Sequence, residues 1–135
     1  MEAQADAMKK QQLIDTDVTI DFLRGQKQAT TLFKSESGSI CFSVITIAEI
    51  YAGIRDTREE AEVERLFSIF PVLSTTGEVA RLAGHLVKQY GKSYSVEIPD
   101  ALIAATCIIN NTELLTLNVR HYPMFQNLRP PYKKP

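Results

Sequence analysis

An α/β fold around a mainly parallel sheet of four or five strands is the class this sequence predicts, and three observations predict it. Short apolar runs of strand length, "QLID", "SICFSV", "FPVLS" and "TELLTLN", alternate with longer stretches of helical period. Nothing repeats, and no Pro/Gly/Ser-rich linker divides the chain. At 135 residues, 44% apolar and 23% charged, the chain has the material for one domain with a single hydrophobic core.

The elements follow in order. The first strand is expected from about Gln12 to Asp15, and "DVTIDFLRG" turns from it into a short helix stopped by Gly25. A second short helix is expected near 27 to 36, and the Ser37-Gly38 turn leads to the β-favouring run "SICFSV". In "ITIAEIYAGI" the residues Ile47, Ile50, Tyr51 and Ile54 fall at i, i+3, i+4 and i+7, a helical stripe with Glu49 off its centre. A charged helix over about 57 to 69 runs into the short strand "FPVLS". The stretch "GEVARLAGHLVKQYG" is helical, with Val79, Leu82, Ala83 and Leu86 on its apolar face and Gly91 as its stop. In "SVEIPDALIAATCIINN", Pro99 suits a helix start and Asp100 falls in the first turn, where a carboxylate favours the dipole. "TELLTLN" is the fourth strand, and "NLR" near 127 to 129 is a candidate fifth.

Charge is uneven. Residues 1 to 80 carry eight Lys/Arg against thirteen Asp/Glu, and residues 81 to 135 carry seven against three, within a net charge of −1. An acidic front half beside a basic back half suits a metal pocket with a weakly basic rim. Cys41 and Cys107 sit inside apolar runs without paired spacing, as small buried residues of a reducing compartment do. No apolar stretch approaches the ~20 residues of a membrane span, so no membrane contact and a cytoplasmic location are expected. Residues 1–10 read as a flexible leader, 11–130 as the domain, and 131–135 as the end of the basic, proline-rich run "RPPYKKP".

Open α/β sheets bind ligands where strand C-termini and helix N-termini share an edge. Asp15 ends the first strand, Glu49 lies early in the helix after the second, Asp100 opens the helix before the fourth, and Asn118 ends that strand. Carboxylates brought within about 4–6 Å of one another either raise a pKa or gather a cation. Oxygen donors without a His/Cys cluster favour Mg²⁺ or Mn²⁺ over zinc. Such an ion acidifies water and neutralises charge on a phosphate, which is the chemistry of phosphodiester hydrolysis.

Two families compete for the opening stretch. "LIDTDVTI" satisfies the Asp-x-Asp-x-Thr motif of haloacid-dehalogenase-like phosphatases, with Asp15 as nucleophile and Asp17 as acid/base. The rest of that pattern is poorly met: Thr46 and Lys88 are its only candidates, and Glu97 and Asp100 precede a helix instead of following a strand. From Leu13 to Arg129 the chain also resembles the PIN-domain ribonucleases, in particular the VapC toxins of type II toxin–antitoxin modules. The matching segments are "LIDTDVTIDFLRG", "SVITIAEIYAGI", "IPDALIAATCI" and "LLTLNVRHYPMF", in the family's order and spacing.

That resemblance implies a PIN-like α/β/α sandwich and Mg²⁺- or Mn²⁺-dependent endonucleolytic cleavage of RNA of the tRNA or rRNA class, inhibiting translation. Asp15, Glu49 and Asp100 match the metal-binding acids, and Asn118 matches a position near the metal. Thr16 and Thr116 match hydroxyls that orient those acids. A VapB-type antitoxin that blocks the groove and a homodimer are the partners it implies. The chain departs from the family at three places. Asp17 stands where Asn is usual, His121 stands where an acid is usual, and Glu97 adds an acid three residues before Asp100. With the usual fourth acid gone, one metal is better supported than two, and an inactive PIN-fold module that binds RNA or antitoxin is the alternative. Asp21 reads as a pocket-edge, capping or solvated acid, and His85 as a surface histidine. Lys88, Lys92, Arg120 and His121, with Arg129, Lys133 and Lys134, are candidate RNA-phosphate contacts. Without interleaved aromatics they suggest recognition of shape and backbone.

Overall fold

Leu13 and Ile14, neighbours in one short strand, are both fully buried, and they face opposite sides of the sheet. The computed structural model describes residues 10–134, so the leader expected over 1–10 lies outside the described residues apart from Lys10. Strand β1 (Gln12–Ile14) is followed by helices α1 (Thr16–Leu23) and α2 (Lys27–Ser35). Strand β2 (Ile40–Ser43), helices α3 (Val44–Ala52) and α4 (Thr57–Ile69), and strand β3 (Val72–Leu73) come next. Helices α5 (Gly77–Tyr94) and α6 (Ile98–Asn110), strand β4 (Glu113–Leu115) and a 3₁₀ turn (Val119–His121) complete the chain. The sheet order is β3-β2-β1-β4, and every pairing is parallel.

Two-residue alternation along these strands divides the core into two layers. Leu13, Cys41 and Leu114 point toward α5 and α6, where they meet Val79, Ala83, Leu86, Ile103 and Ala104. Ile14, Ile40 and Phe42 point the other way, toward Val18 of α1, Phe33 of α2 and Leu66 of α4. Phe42 lies edge-on to Phe67 with centroids 5.1 Å apart, and Phe33 stacks on Phe22 at 3.9 Å. Full burial of a side chain of this size contributes on the order of 1.5–3 kcal/mol. The result is the three-layer α/β/α sandwich expected, with four strands.

Several boundaries differ from the expectation. "NLR" is not a strand: Asn127 takes a left-handed turn conformation at φ 62°, and residues 127–129 have no sheet partner. Strand β4 stops at Leu115 instead of reaching Asn118. Its neighbour β1 ends at Ile14, so the groups beyond have no ladder to join and turn to the acids instead. Gly91 does not stop α5, which continues to Tyr94 and ends on Ser95 at φ 56°. Of the stripe expected on α3 only Ile50 is buried: Ile47 is half-buried, Tyr51 is 38% exposed, and Ile54 lies beyond the helix end at Ala52. Cys41 and Cys107 are buried free thiols, and burial pushes them up to about 11 and about 12. No helix among the described residues is long and apolar enough to cross a membrane.

Candidate functional site

The C-terminal end of β1 passes directly into α1, and Asp15 is the residue at that junction. It is the N-cap of α1, and its Oδ1 accepts a hydrogen bond from Thr16 N at 2.8 Å. Its carbonyl accepts from the Thr19 hydroxyl at 2.9 Å, so both ends of the residue are held. A strand end that opens a helix places a carboxylate where it can cap the first turn's free N–H groups. Asp15 is only 6% exposed and needs such partners.

Two further donors reach its other oxygen. Thr116 Oγ1 donates to Asp15 Oδ2 at 2.7 Å, and Tyr122 OH donates to the same atom at 3.0 Å. Thr116 follows β4, the strand beside β1, and is fully buried. Its hydroxyl also accepts from Asn118 N at 3.0 Å, which fixes the turn that carries Asn118.

Asp17 faces inward from the first turn of α1. Its Oδ1 accepts from Val18 N at 2.7 Å and its Oδ2 from Leu117 N at 2.9 Å. Burial and the neighbouring Asp15 charge outweigh these donors and raise its carboxyl from 3.8 to about 6. With both oxygens engaged by backbone N–H groups, Asp17 ties the loop after β4 to α1. That is a poor setting for the mobile acid/base of a phosphatase.

Glu49 comes from α3, which α1 packs against. Thr16 Oγ1 donates to Glu49 Oε1 at 2.6 Å and lies 3.0 Å from Thr46 Oγ1, which is fully buried. Asp100 occupies the first turn of α6, where its carboxylate accepts from the backbone of the N-cap residue Glu97. Its carboxyl is raised, first by burial and then by Asp15 and Glu49, with His121 pulling the other way. His121 Nδ1 lies 3.4 Å from Asp100 Oδ2 and 3.1 Å from Asn118 Nδ2.

The structure thus brings Asp15, Thr16, Asp17, Glu49, Asp100, Thr116, Asn118 and His121 to one sheet edge. Sequence reasoning missed Tyr122 altogether, since a loop residue carries no periodic signal. It met Thr46 only as a phosphatase candidate. Arg120 is exposed on the 3₁₀ turn beside His121. Lys88, Lys92 and His85 are exposed on α5, and among the described residues none of them hydrogen-bonds or ion-pairs with the acids. Asp21 is neither solvated nor at the pocket. It is 5% exposed, accepts from Tyr132 OH at 2.6 Å and pairs with Lys134 Nζ at 2.7 Å. The described part of the C-terminal tail is therefore docked on α1 and α2, with Gln28 Nε2 donating to Lys133 O at 3.2 Å.

The donor set fits a hard divalent cation. It is all oxygen apart from one imidazole, and the carboxyls of Asp17 and Asp100 are raised, first by burial and further by the neighbouring Asp15 charge. Among the described residues, no three His, Cys, Asp or Glu side chains form a finished cage. Glu49 is turned to Thr16 and Asp100 to His121.

The PIN domain family model matches residues 13–124. Ribonuclease VapC10 of Mycobacterium tuberculosis is 40% identical over 126 residues, covering 91% of this chain and 94% of that protein. Ribonuclease VapC19 of the same organism is 40% identical over 124 residues, covering 89% and 98%. Among solved structures, a toxin–antitoxin complex from Klebsiella pneumoniae contains a chain that aligns with a TM-score of 0.78 at 24% identity, covering 90% of this chain and 98% of that one. A chain of DNA-bound VapBC from Salmonella typhimurium aligns with a TM-score of 0.75 at 22% identity, covering 90% and 96%. At these identities the two structures speak for the fold alone.

Proposed function

The chain belongs to the PIN-domain family and, within it, to the VapC ribonucleases, and from that premise we propose that it is a divalent-metal-dependent endoribonuclease, the toxin of a toxin–antitoxin module. The observation that carries the reading is the gathering of Asp15, Asp100 and Glu49 at one sheet edge, each with a dedicated partner for its carboxylate.

In this reading Asp15, Glu49 and Asp100 hold Mg²⁺ or Mn²⁺. When bound, the cation acidifies water and neutralises charge on the scissile phosphate. Thr116 and Thr16 hold the Asp15 and Glu49 carboxylates in fixed orientations, which limits reorganisation as the reaction proceeds. Asn118, on the turn stabilised by Thr116, presents an uncharged amide beside Asp100 and His121, where it can orient a phosphate oxygen or water. Arg120 and His121, with Lys88 and Lys92 farther out, contact the RNA backbone. The 3′-oxygen of the upstream nucleotide leaves, giving 5′-phosphate and 3′-hydroxyl ends. The substrate is RNA of the tRNA or rRNA class, and its cutting stops translation in the cytoplasm.

A VapB-type antitoxin is the partner. In support, an open groove of about 640 Å³ between α1, α3 and α4 is lined by Ile20, Leu23, Ile54, Arg24 and Glu59 and extends to Glu49. Tyr94 and Ile98, more than half exposed where α5 passes to α6, support a homodimer.

One observation favours a second reading, an inactive module that binds RNA or antitoxin: His121 sits beside Asp100 where relatives in the resembled family carry an acid. Incubating purified protein with RNA in EDTA and in Mn²⁺, and mapping the new ends, separates the two. Cleavage only with Mn²⁺, leaving 5′-phosphates, is expected; RNA retention without cutting under any divalent metal supports the binding module.

A further inference from the structure

Tyr122 is a residue that neither motif nor periodicity singles out, and it makes the most specific unexplained contact in the molecule. Its side chain is 1% exposed, and among the described residues it is the largest of the fully buried side chains. The backbone sets it immediately after the 3₁₀ turn, with Tyr122 N donating to Val119 O at 3.1 Å. The ring packs in the core layer under α5 and α6 and stacks on Phe125, centroids 6.3 Å apart. Ring burial alone would be served equally well by phenylalanine. The hydroxyl, however, is delivered to Asp15 Oδ2 at 3.0 Å, the same atom that Thr116 Oγ1 reaches at 2.7 Å.

We propose that Tyr122 is a positioning residue of the nuclease site: its hydroxyl, paired with that of Thr116, occupies Asp15 Oδ2 and leaves Oδ1 as the oxygen that meets the metal. The inference rests on the proposed metal-dependent activity. An ionised carboxylate offers about four lone-pair positions, two on each oxygen. Both positions on Oδ2 are taken by hydroxyl donors, and one on Oδ1 is taken by Thr16 N at 2.8 Å. One position remains, and it lies on Oδ1. Hydrogen bonds to both oxygens also resist rotation of the carboxylate, so the free position keeps one direction.

The same loop explains why a tyrosine is useful there. Between Thr116 and Tyr122 the chain contacts Asp15 twice, Asp17 through Leu117 N, and Asp100 through His121. Anchoring Tyr122 on Asp15 ties the far end of that loop to the strand end, beside the Thr116 and Leu117 contacts that tie its near end. Removing a partner of this kind typically weakens metal binding by about ten-fold or more.

The test is Mn²⁺ affinity of the full chain, read as free Mn²⁺ by electron paramagnetic resonance, for wild type and Tyr122→Phe. Thermal unfolding in EDTA reports the fold. The expected result is a folded Tyr122→Phe variant whose Mn²⁺ Kd rises about ten-fold, with no further rise when Tyr122→Phe is added to Asp15→Asn. A variant that loses thermal stability but binds Mn²⁺ as wild type does overturns the positioning role while leaving the nuclease reading intact. Wild-type protein that binds no Mn²⁺ overturns both. Should Tyr122→Phe fail to fold, proton NMR of the unaltered protein decides. The slowly exchanging Tyr122 hydroxyl resonance should shift on saturation with Mg²⁺, and a resonance that stays in place overturns the proposal.

Discussion

Asp17 shows how a single residue can mislead a motif and still reveal its environment. By spacing it completes a phosphatase signature, yet its oxygens are spent on Val18 N and Leu117 N, and the Asp15 charge lies beside it. Its carboxyl is raised from 3.8 to about 6, so the fold favours the protonated form. Stability from that preference is fully present below pH ~4 and is lost as pH rises through about 6. In metal-free protein, wild-type Tm should therefore fall between pH 5 and 7.5 by several degrees more than that of Asp17→Asn. The excess reflects an effect on the order of 1–2 kcal/mol once partial solvent screening is allowed for. Parallel melting curves of the two proteins in EDTA check this; equal slopes would mean Asp17 is no more strained than a surface acid. Asp15 and Asp100 were legible in the sequence because strand ends and first helical turns are marked by local pattern, and Glu49 because it lies off the apolar stripe of its helix. Tyr122 and Thr46 were not, because what matters about them is a contact across 107 and 30 residues of chain.

At the scale of elements, the strands and helices were legible wherever hydrophobic period and turn residues agreed, and illegible where tertiary contacts set an end. Gly91 is the clearest case. Glycine after an amphipathic run reads as a stop, but here it sits within α5, where a Cβ would meet Val87 Cγ1 and Val96 O at 3.4 Å, an ordinary contact. Gly91→Ala should thus stabilise the protein by up to about 1 kcal/mol through helix propensity, measured by urea unfolding. Destabilisation would show that the backbone after α5 needs the space. The C-terminal segment reads as a polar tail, yet Tyr132 and Lys134 both close on buried Asp21. Tyr132→Phe leaves that carboxylate with Lys134 alone and should cost about 1–2 kcal/mol, with RNA cleavage retained.

For the whole molecule, the parallel order β3-β2-β1-β4 is what makes the acids one site. It sets β1 next to β4, so the residues after both strands meet, and it lets α3 and α6 bring Glu49 and Asp100 to the same edge. The parallel sheet could be inferred from alternating strands and helices, and the edge from the rule that ligands bind at strand C-termini. Of the hydroxyls holding the carboxylates, those of Thr16 and Thr116 were implied by the family resemblance, whereas Thr46 and Tyr122 were not, because "VIT" and "RHY" carry no local signal that links them to the acids. The most direct measurement is cleavage of RNA with Mn²⁺ by wild type, Asp15→Asn and Asp100→Asn at equal concentration, each shown to be folded by circular dichroism. A metal site centred on these acids predicts cutting by wild type and a loss of at least a hundred-fold, on the order of 3 kcal/mol, in both variants. Equal cutting by all three proteins would contradict it.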